Sequence, residues 1–106
     1  MRIYGLKNCD TCRKALKALP GAELVDVRAD GMDPAVLDAA LAQFEGALVN
    51  TRSATWRGLD EADRALPARD LILAHPAVMK RPVIAVGDAL FLGWSPQTHA
   101  QIKALS

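Results

Sequence analysis

Aromatic residues are scarce in this chain of 106: two Trp, two Phe and one Tyr, 5% in all. With 51% of residues apolar, the core must be filled mainly by aliphatic side chains, and the length suits one domain spanning residues 1–106. Neither sign of charge is in excess. Thirteen Lys and Arg against twelve Asp and Glu leave a formal net charge of +1, which gives no basis for binding nucleic acid or a membrane through bulk charge. No apolar run approaches the length of a membrane span, and no secretory leader is expected ahead of the first cysteine. There are only two cysteines and two histidines. Two cysteines do not make the disulfide framework of a small secreted domain, so the cytoplasm is the expected compartment.

Those two cysteines, Cys9 and Cys12, sit two residues apart behind the first strand candidate. Ile3 to Leu6 reads as a buried edge of a sheet. After the Cys-x-x-Cys, Ala15, Leu16 and Leu19 recur at helical spacing. Cys9 therefore falls where a strand hands over to a helix. Free backbone N–H groups and the positive end of the helix dipole stabilise an anion there. A thiolate is such an anion, so Cys9 is the candidate nucleophile and Cys12, one turn in, the candidate resolving thiol. Lys7 and Arg13 add positive charge nearby. Two other readings exist for such a pair. A zinc site needs two more ligands, and His75 and His99 stand 24 residues apart, too far for a zinc-finger pattern. Two inert packing cysteines are the other. The order strand, motif, helix favours a thioredoxin-like redox motif.

Further along, Pro20-Gly21 stops the first helix, and Glu23 to Val27 alternates as a strand. Arg28 to Gly31 reads as turn material. Asp33-Pro34 is a helix start, with Asp as N-cap and Pro in the first helical position. Leu37, Ala40, Leu41 and Phe44 then mark one face, and Gly46 ends the run. Thr51-Arg52-Ser53 is a polar loop, and Trp56 to Leu66 suits one or two short helices. Pro67 opens a helix with Leu71, Ile72 and Ala74 or His75 inward. Val83 to Val86 reads as a strand buried on both faces, and Gly87-Asp88 turns it into a partner strand, Ala89 to Leu92. Ser95-Pro96 opens a last helix with Ile102 and Leu105 inward. The fold expected is α/β: a thioredoxin-like plan with a helical insertion of about fifty residues between strands two and three.

The ordered segments Tyr4 to Thr11, Arg28 to Gly31, Leu48 to Arg52, Thr55 to Glu61, His75-Pro76, Lys80-Arg81-Pro82 and Leu92 to Ser95 resemble the arsenate reductase (ArsC) and Spx family. They are most similar to its YffB-like branch. The resemblance covers nearly the whole chain and implies the same thioredoxin-like fold. It also implies that Cys9 is the nucleophile, that Arg52 and Arg81 hold an oxyanion beside it, and that the Arg81–Pro82 peptide bond is cis. Two guanidinium groups would favour both a thiolate and a tetrahedral oxyanion. The family's third arginine should follow the hairpin, where this chain has Gly93. That departure implies a more open, less charged seat, suited to a bulkier anionic thiol such as glutathione rather than to arsenate.

The resemblance thus implies a cytoplasmic thiol-dependent oxidoreductase with Cys9 and Cys12 catalytic and Arg52, Arg81 and Pro82 binding the substrate. No cofactor or metal is expected to be bound, and glutathione is the expected co-substrate. The partners expected are a small thiol or anionic substrate and a glutaredoxin-type reductant, with no direct nucleic-acid contact and no membrane, in a monomer. The alternative is an Spx-like redox-sensing regulator that binds the transcription machinery, because Spx-like proteins share the Cys-x-x-Cys that the YffB branch commonly lacks.

Overall fold

A computed structural model of the protein describes every residue except Ser106. Its strands are β1 (Arg2–Gly5), β2 (Glu23–Asp26), β3 (Val83–Val86) and β4 (Ala89–Leu92). Its helices are α1 (Asp10–Ala18), α2 (Val27–Asp30), α3 (Pro34–Phe44), α4 (Ala54–Arg57), α5 (Glu61–Arg64), α6 (Ala68–Ala74) and α7 (Pro96–Ala104), with 3-10 turns at Glu45–Leu48 and Pro76–Val78. Contacts divide the chain into two units: Met1–Asp26 with the segment from Arg81 onward, and Val27–Lys80. Among the described residues no helix is long and apolar enough to cross a membrane.

The first unit is built on a four-stranded sheet in the order β2-β1-β3-β4. β1 pairs in parallel with β2 and antiparallel with β3, and β3 pairs antiparallel with β4. Register sets the core. Ile3 lies opposite both Leu24 and Ile84, and Ile84 opposite Phe91. Because side chains alternate across a strand, these four share one face. Ala15 and Leu19 from the α1 segment and Ile102 from α7 pack on that face, joined by Leu16, Val86 and Trp94. Tyr4 and Val83, on the other face, are buried as well. The first strand is thus not an edge, as its sequence suggests, but the centre of the sheet. The crossover through α1 lays β2 on one side and the β3–β4 hairpin fills the other, so three of its four residues are buried. β3 is fully buried only at Val83 and Ile84; Ala85 and Val86, next to the hairpin turn, are half-buried. Leu105 follows the last turn of α7 and is exposed rather than inward.

In the second unit short helices rely on their caps, since a four-residue helix has too few internal bonds to stand alone. Asp33 accepts from the Ala35 and Val36 N–H groups at 2.9 and 3.4 Å and Pro34 follows it, as the sequence indicates. Ser53 caps α4 through the Trp56 N–H at 3.1 Å, and Asp60 caps α5 through the Asp63 N–H at 2.8 Å. Arg64 then reaches back to the Trp56 and Arg57 carbonyls at 3.2 and 3.0 Å, its guanidinium 5.5 Å from the Trp56 ring centre. Leu37, Ala40, Leu48, Leu71, Ile72, Val78 and Met79 are buried in this unit. On α6, Ala74 is exposed and His75 half-buried, with Nε2 3.5 Å from Asp63 Oδ2. Arg28 to Asp30, read as a turn, forms the helical turn α2, anchored by the fully buried Val27. Asp33→Ala is expected to lower stability by about 1 kcal/mol and Asp33→Asn to be near neutral, since Asn caps as well as Asp. Urea denaturation midpoints of the two variants check this.

Candidate active site

Cys9 is the N-cap of α1, in extended backbone conformation at φ −90°, ψ 117°. Three bonds fix the short loop that delivers it. The Cys9 N–H donates to the Leu6 carbonyl at 3.1 Å, the Lys7 N–H to the Asp26 carboxylate at 3.1 Å, and Arg13 Nε to the Lys7 carbonyl at 2.8 Å. Asp26 can do this because it closes β2 opposite Gly5, where the loop begins. Cys12 lies one turn in from Cys9, and both are free thiols. They occupy different surroundings. Cys9 is half-buried, while Cys12 is completely buried.

This difference separates their acidities. At Cys9 burial pushes the thiol up, but the Cys12 thiol, the Cys12 backbone N–H, and the hydrogen bond and charge of the Arg81 guanidinium outweigh it. The net result is a Cys9 thiol held below its ordinary range. The Cys12 N–H lies in the first turn of α1, so an ionised Cys9 is the acceptor that this helix start and Arg81 favour. Cys12 goes the other way. Burial, with its hydrogen bond to Cys9, pushes it up to about 12.

Arg81 arrives by strand register. Tyr4 pairs with Val83, so one step on Pro82 falls beside Gly5 and Arg81 beside the loop carrying Cys9. The Arg81–Pro82 bond is cis, as the resemblance implies, and Pro82 is fully buried. Its carbonyl accepts the Gly93 N–H at 2.8 Å. Gly93, where the resemblance implies a third arginine in the family, has φ +80°, a conformation that side chains with a Cβ rarely adopt. The structure therefore brings Cys9, Cys12, Arg81 and Pro82 together in the first unit. Arg52 belongs to the second. There its N–H donates to Asn50 Oδ1 at 3.0 Å, and it lines a cleft of about 430 Å³ with Ala47, Val49, Asn50, Thr51 and Lys80. Two cations and no carboxylate line that cleft.

The sequence points to Lys7 and Arg13 as the charges near Cys9. Of the cations expected near Cys9, the one that acts on it is Arg81, which the resemblance implies; Arg13 is turned to the Lys7 carbonyl and, 3.8 Å away, to Asp10. Asp26 and Gly5 were not legible as site residues, because both owe their position to pairing between strands distant in sequence. Trp94 lines a separate cleft of about 400 Å³ on α1 and α7 with Thr11, Lys14, Ala18, Ser95, Pro96 and His99, its ring 5.0 Å from that of His99. Among the described residues no three His, Cys, Asp or Glu side chains converge as a metal would require.

A thioredoxin-like sheet with a thiol at the first strand–helix junction and a helical segment between β2 and β3 describes a known class. The chain belongs to the ArsC family, whose sequence pattern matches residues 4–102. A solved structure of a YffB protein is 33% identical, covering 95% of this chain and 96% of that one, with a TM-score of 0.84. That of an arsenate reductase (ArsC) related protein from Brucella melitensis is 34% identical, covering 94% and 91%, with a TM-score of 0.67. An uncharacterised protein of Haemophilus influenzae is 38% identical over 92% of this chain and 93% of its own length. The family assignment and the YffB-like resemblance agree with the segments identified in the sequence.

Two outcomes follow from the unequal thiols. The rate of Cys9 alkylation against pH should titrate below the ~8.5 of a free thiol, and Arg81→Gln should move that titration upward. Stability should also carry both signatures. Cys9, lowered on folding, adds stability as pH rises from its folded value to the unfolded one. Cys12, raised on folding, loses stability as pH climbs from about 8.5 in the unfolded chain towards about 12 in the folded one. Urea titrations between neutral and alkaline pH should show a falling alkaline limb that is shallower in Cys12→Ala.

Proposed function

We propose that this protein is a thiol-dependent oxidoreductase in which Cys9 is the nucleophile. One observation carries the reading: the half-buried Cys9 thiol stands beside the Arg81 guanidinium and the Cys12 donors that lower it, so its thiolate, the nucleophilic form, is favoured over that of an ordinary cysteine. The Cys9 thiolate attacks one sulfur of a disulfide R–S–S–R′. A Cys9–S–S–R bond forms, and R′S⁻ leaves and takes a proton. Cys12 then attacks the Cys9 sulfur, passing its proton to the departing RS⁻, or a glutathione thiol takes that role. The substrate gains two electrons. Glutathione or a glutaredoxin-type reductant restores the cysteine pair. Arg81, next to the reacting sulfur, would hold an anionic substrate group, with Pro82 beside it. Arg52, with Lys80 in its cleft, is a second candidate for binding anions. The chemistry suits the cytoplasm, where thiols are kept reduced.

A related reading takes the same cysteine pair as an Spx-like redox sensor. The contact between Cys9 and Cys12 favours it, since oxidation would join two sulfurs already beside each other. Retention of RNA polymerase by the oxidised but not the reduced protein would support this over turnover.

Purified wild type, Cys9→Ser and Cys12→Ser assayed with oxidised glutathione and with arsenate test the proposal. Wild type is expected to turn over oxidised glutathione and to reduce arsenate poorly. Cys9→Ser should be inactive, losing at least ~10²-fold, as expected when the attacking group is removed. Cys12→Ser should accumulate glutathione on Cys9 if Cys12 resolves, and turn over normally if glutathione does. Turnover that survives Cys9→Ser would overturn the assignment.

A further inference from the structure

Gly5 closes β1 and is buried, and its φ is not in the left-handed region, so its backbone conformation does not call for glycine. Space does. A Cβ placed on Gly5 would collide with Cys12 Sγ and lie 3.1 Å from Cys12 Cβ, with Leu24 Cδ1 at an ordinary 3.8 Å. Among the described residues it is the only glycine whose missing side chain would meet another residue's side chain. The Cys12 sulfur therefore occupies the volume that any other residue at position 5 would claim. The same sulfur is wholly shielded from solvent and faces Cys9.

We infer that Gly5 is a positioning residue for Cys9: its bare α-carbon is the socket that seats the Cys12 sulfur, fixing the donor that faces the nucleophile. The inference rests on the proposed role of Cys9, and Gly5 touches neither substrate nor Cys9 in it. β1 and α1 cannot simply part to admit a methyl group, because Ile3 and Ala15 are packed without exposure in the core that joins them. The flexible partner is the Cys12 side chain. Turning its χ1 to escape a Cβ would swing Sγ out of the socket. Cys9 would then lose a hydrogen-bond donor, and Cys12 would lose its shelter.

Wild type, Gly5→Ala, Cys12→Ala and Gly5→Ala/Cys12→Ala decide the matter through three readouts: the pH profile of Cys9 alkylation, the number of thiols alkylated in the native protein, and the urea midpoint. In Gly5→Ala, Cys9 should react about tenfold more slowly at neutral pH, a displacement of about one pH unit, as for one hydrogen bond lost to a charged group. Its second thiol should become open to alkylation. Cys12→Ala should also move the Cys9 profile upward, and adding Gly5→Ala to it should leave the profile unchanged and lower the midpoint by less than in the wild-type background, because the collision with Sγ has gone and only the 3.1 Å approach to the Cβ of residue 12 remains. An unmoved profile with Cys12 still protected in Gly5→Ala would overturn the inference. So would an equal loss of midpoint from Gly5→Ala in both backgrounds. If Gly5→Ala does not fold, the double variant decides: folding supports the socket, and failure to fold rejects it. Should wild type show no turnover with any disulfide, the proposed function fails while the cycle of variants still tests the socket.

Discussion

Two thiols one helical turn apart must be held in contact yet given opposite surroundings, and the first unit is arranged around that constraint. Cys12 is buried against the end of β1 and stays protonated; Cys9, at the helix N-cap, is only half-buried and is surrounded by donors. Neither condition works alone. Burying both would raise both, because desolvation disfavours the thiolate wherever it occurs. Exposing both would leave Cys12 to compete as a nucleophile. The Cys12 sulfur fits against the bare α-carbon of Gly5 where α1 lies close to the sheet. Ala15, the small residue one turn further along, keeps that spacing with Ile3 and Ile84 in the core.

Strand pairing then decides which charge reaches Cys9. Lys7 and Arg13 are nearer in sequence, but both are exposed, where water and salt screen a charge within about one Debye length. Arg81 is far away in sequence, yet the register that sets Val83 opposite Tyr4 delivers it to the Cys9 loop half-buried, where a charge is screened less and can bond the sulfur directly. The nearby Asp26 carboxylate accepts the Lys7 N–H at 3.1 Å, so a negative group at the strand end serves to order the loop rather than to raise the thiol.

What could be read in the chain was what depends on neighbours in sequence. Asp33-Pro34 and Ser95-Pro96 announce helix starts because capping is a bond between residues two or three apart, and Gly87-Asp88 announces the hairpin for the same kind of reason. Cys9 at the head of α1 belongs with these. The central place of β1 could not be read, since Ile3 and Tyr4 suit an edge strand and a central one alike until the partners are known. α2 escaped notice because its four residues are too few to show a period. Leu105 shows the converse error: apolar character at the right spacing does not bury a residue beyond the last turn. Gly5 lies within the segment Tyr4 to Thr11, but its reason is a sulfur seven positions away, and no pattern of the strand itself reveals that.

The same dependence on pairing bears on Gly93, where the resemblance implies an arginine in the family. Gly93 cannot be treated as an arginine that happens to be missing. Its φ of +80° follows the end of β4, and its N–H bond to the Pro82 carbonyl ties that turn to the residue leading into β3. An arginine there would place a Cβ on a left-handed backbone at a cost of about 1–2 kcal/mol, or force the turn to relax and give up the bond to Pro82. Relaxation would act on the strand entry that carries Arg81. The residue at this position and the placing of Arg81 are therefore coupled through the backbone, by way of the Gly93 N–H bond to the Pro82 carbonyl.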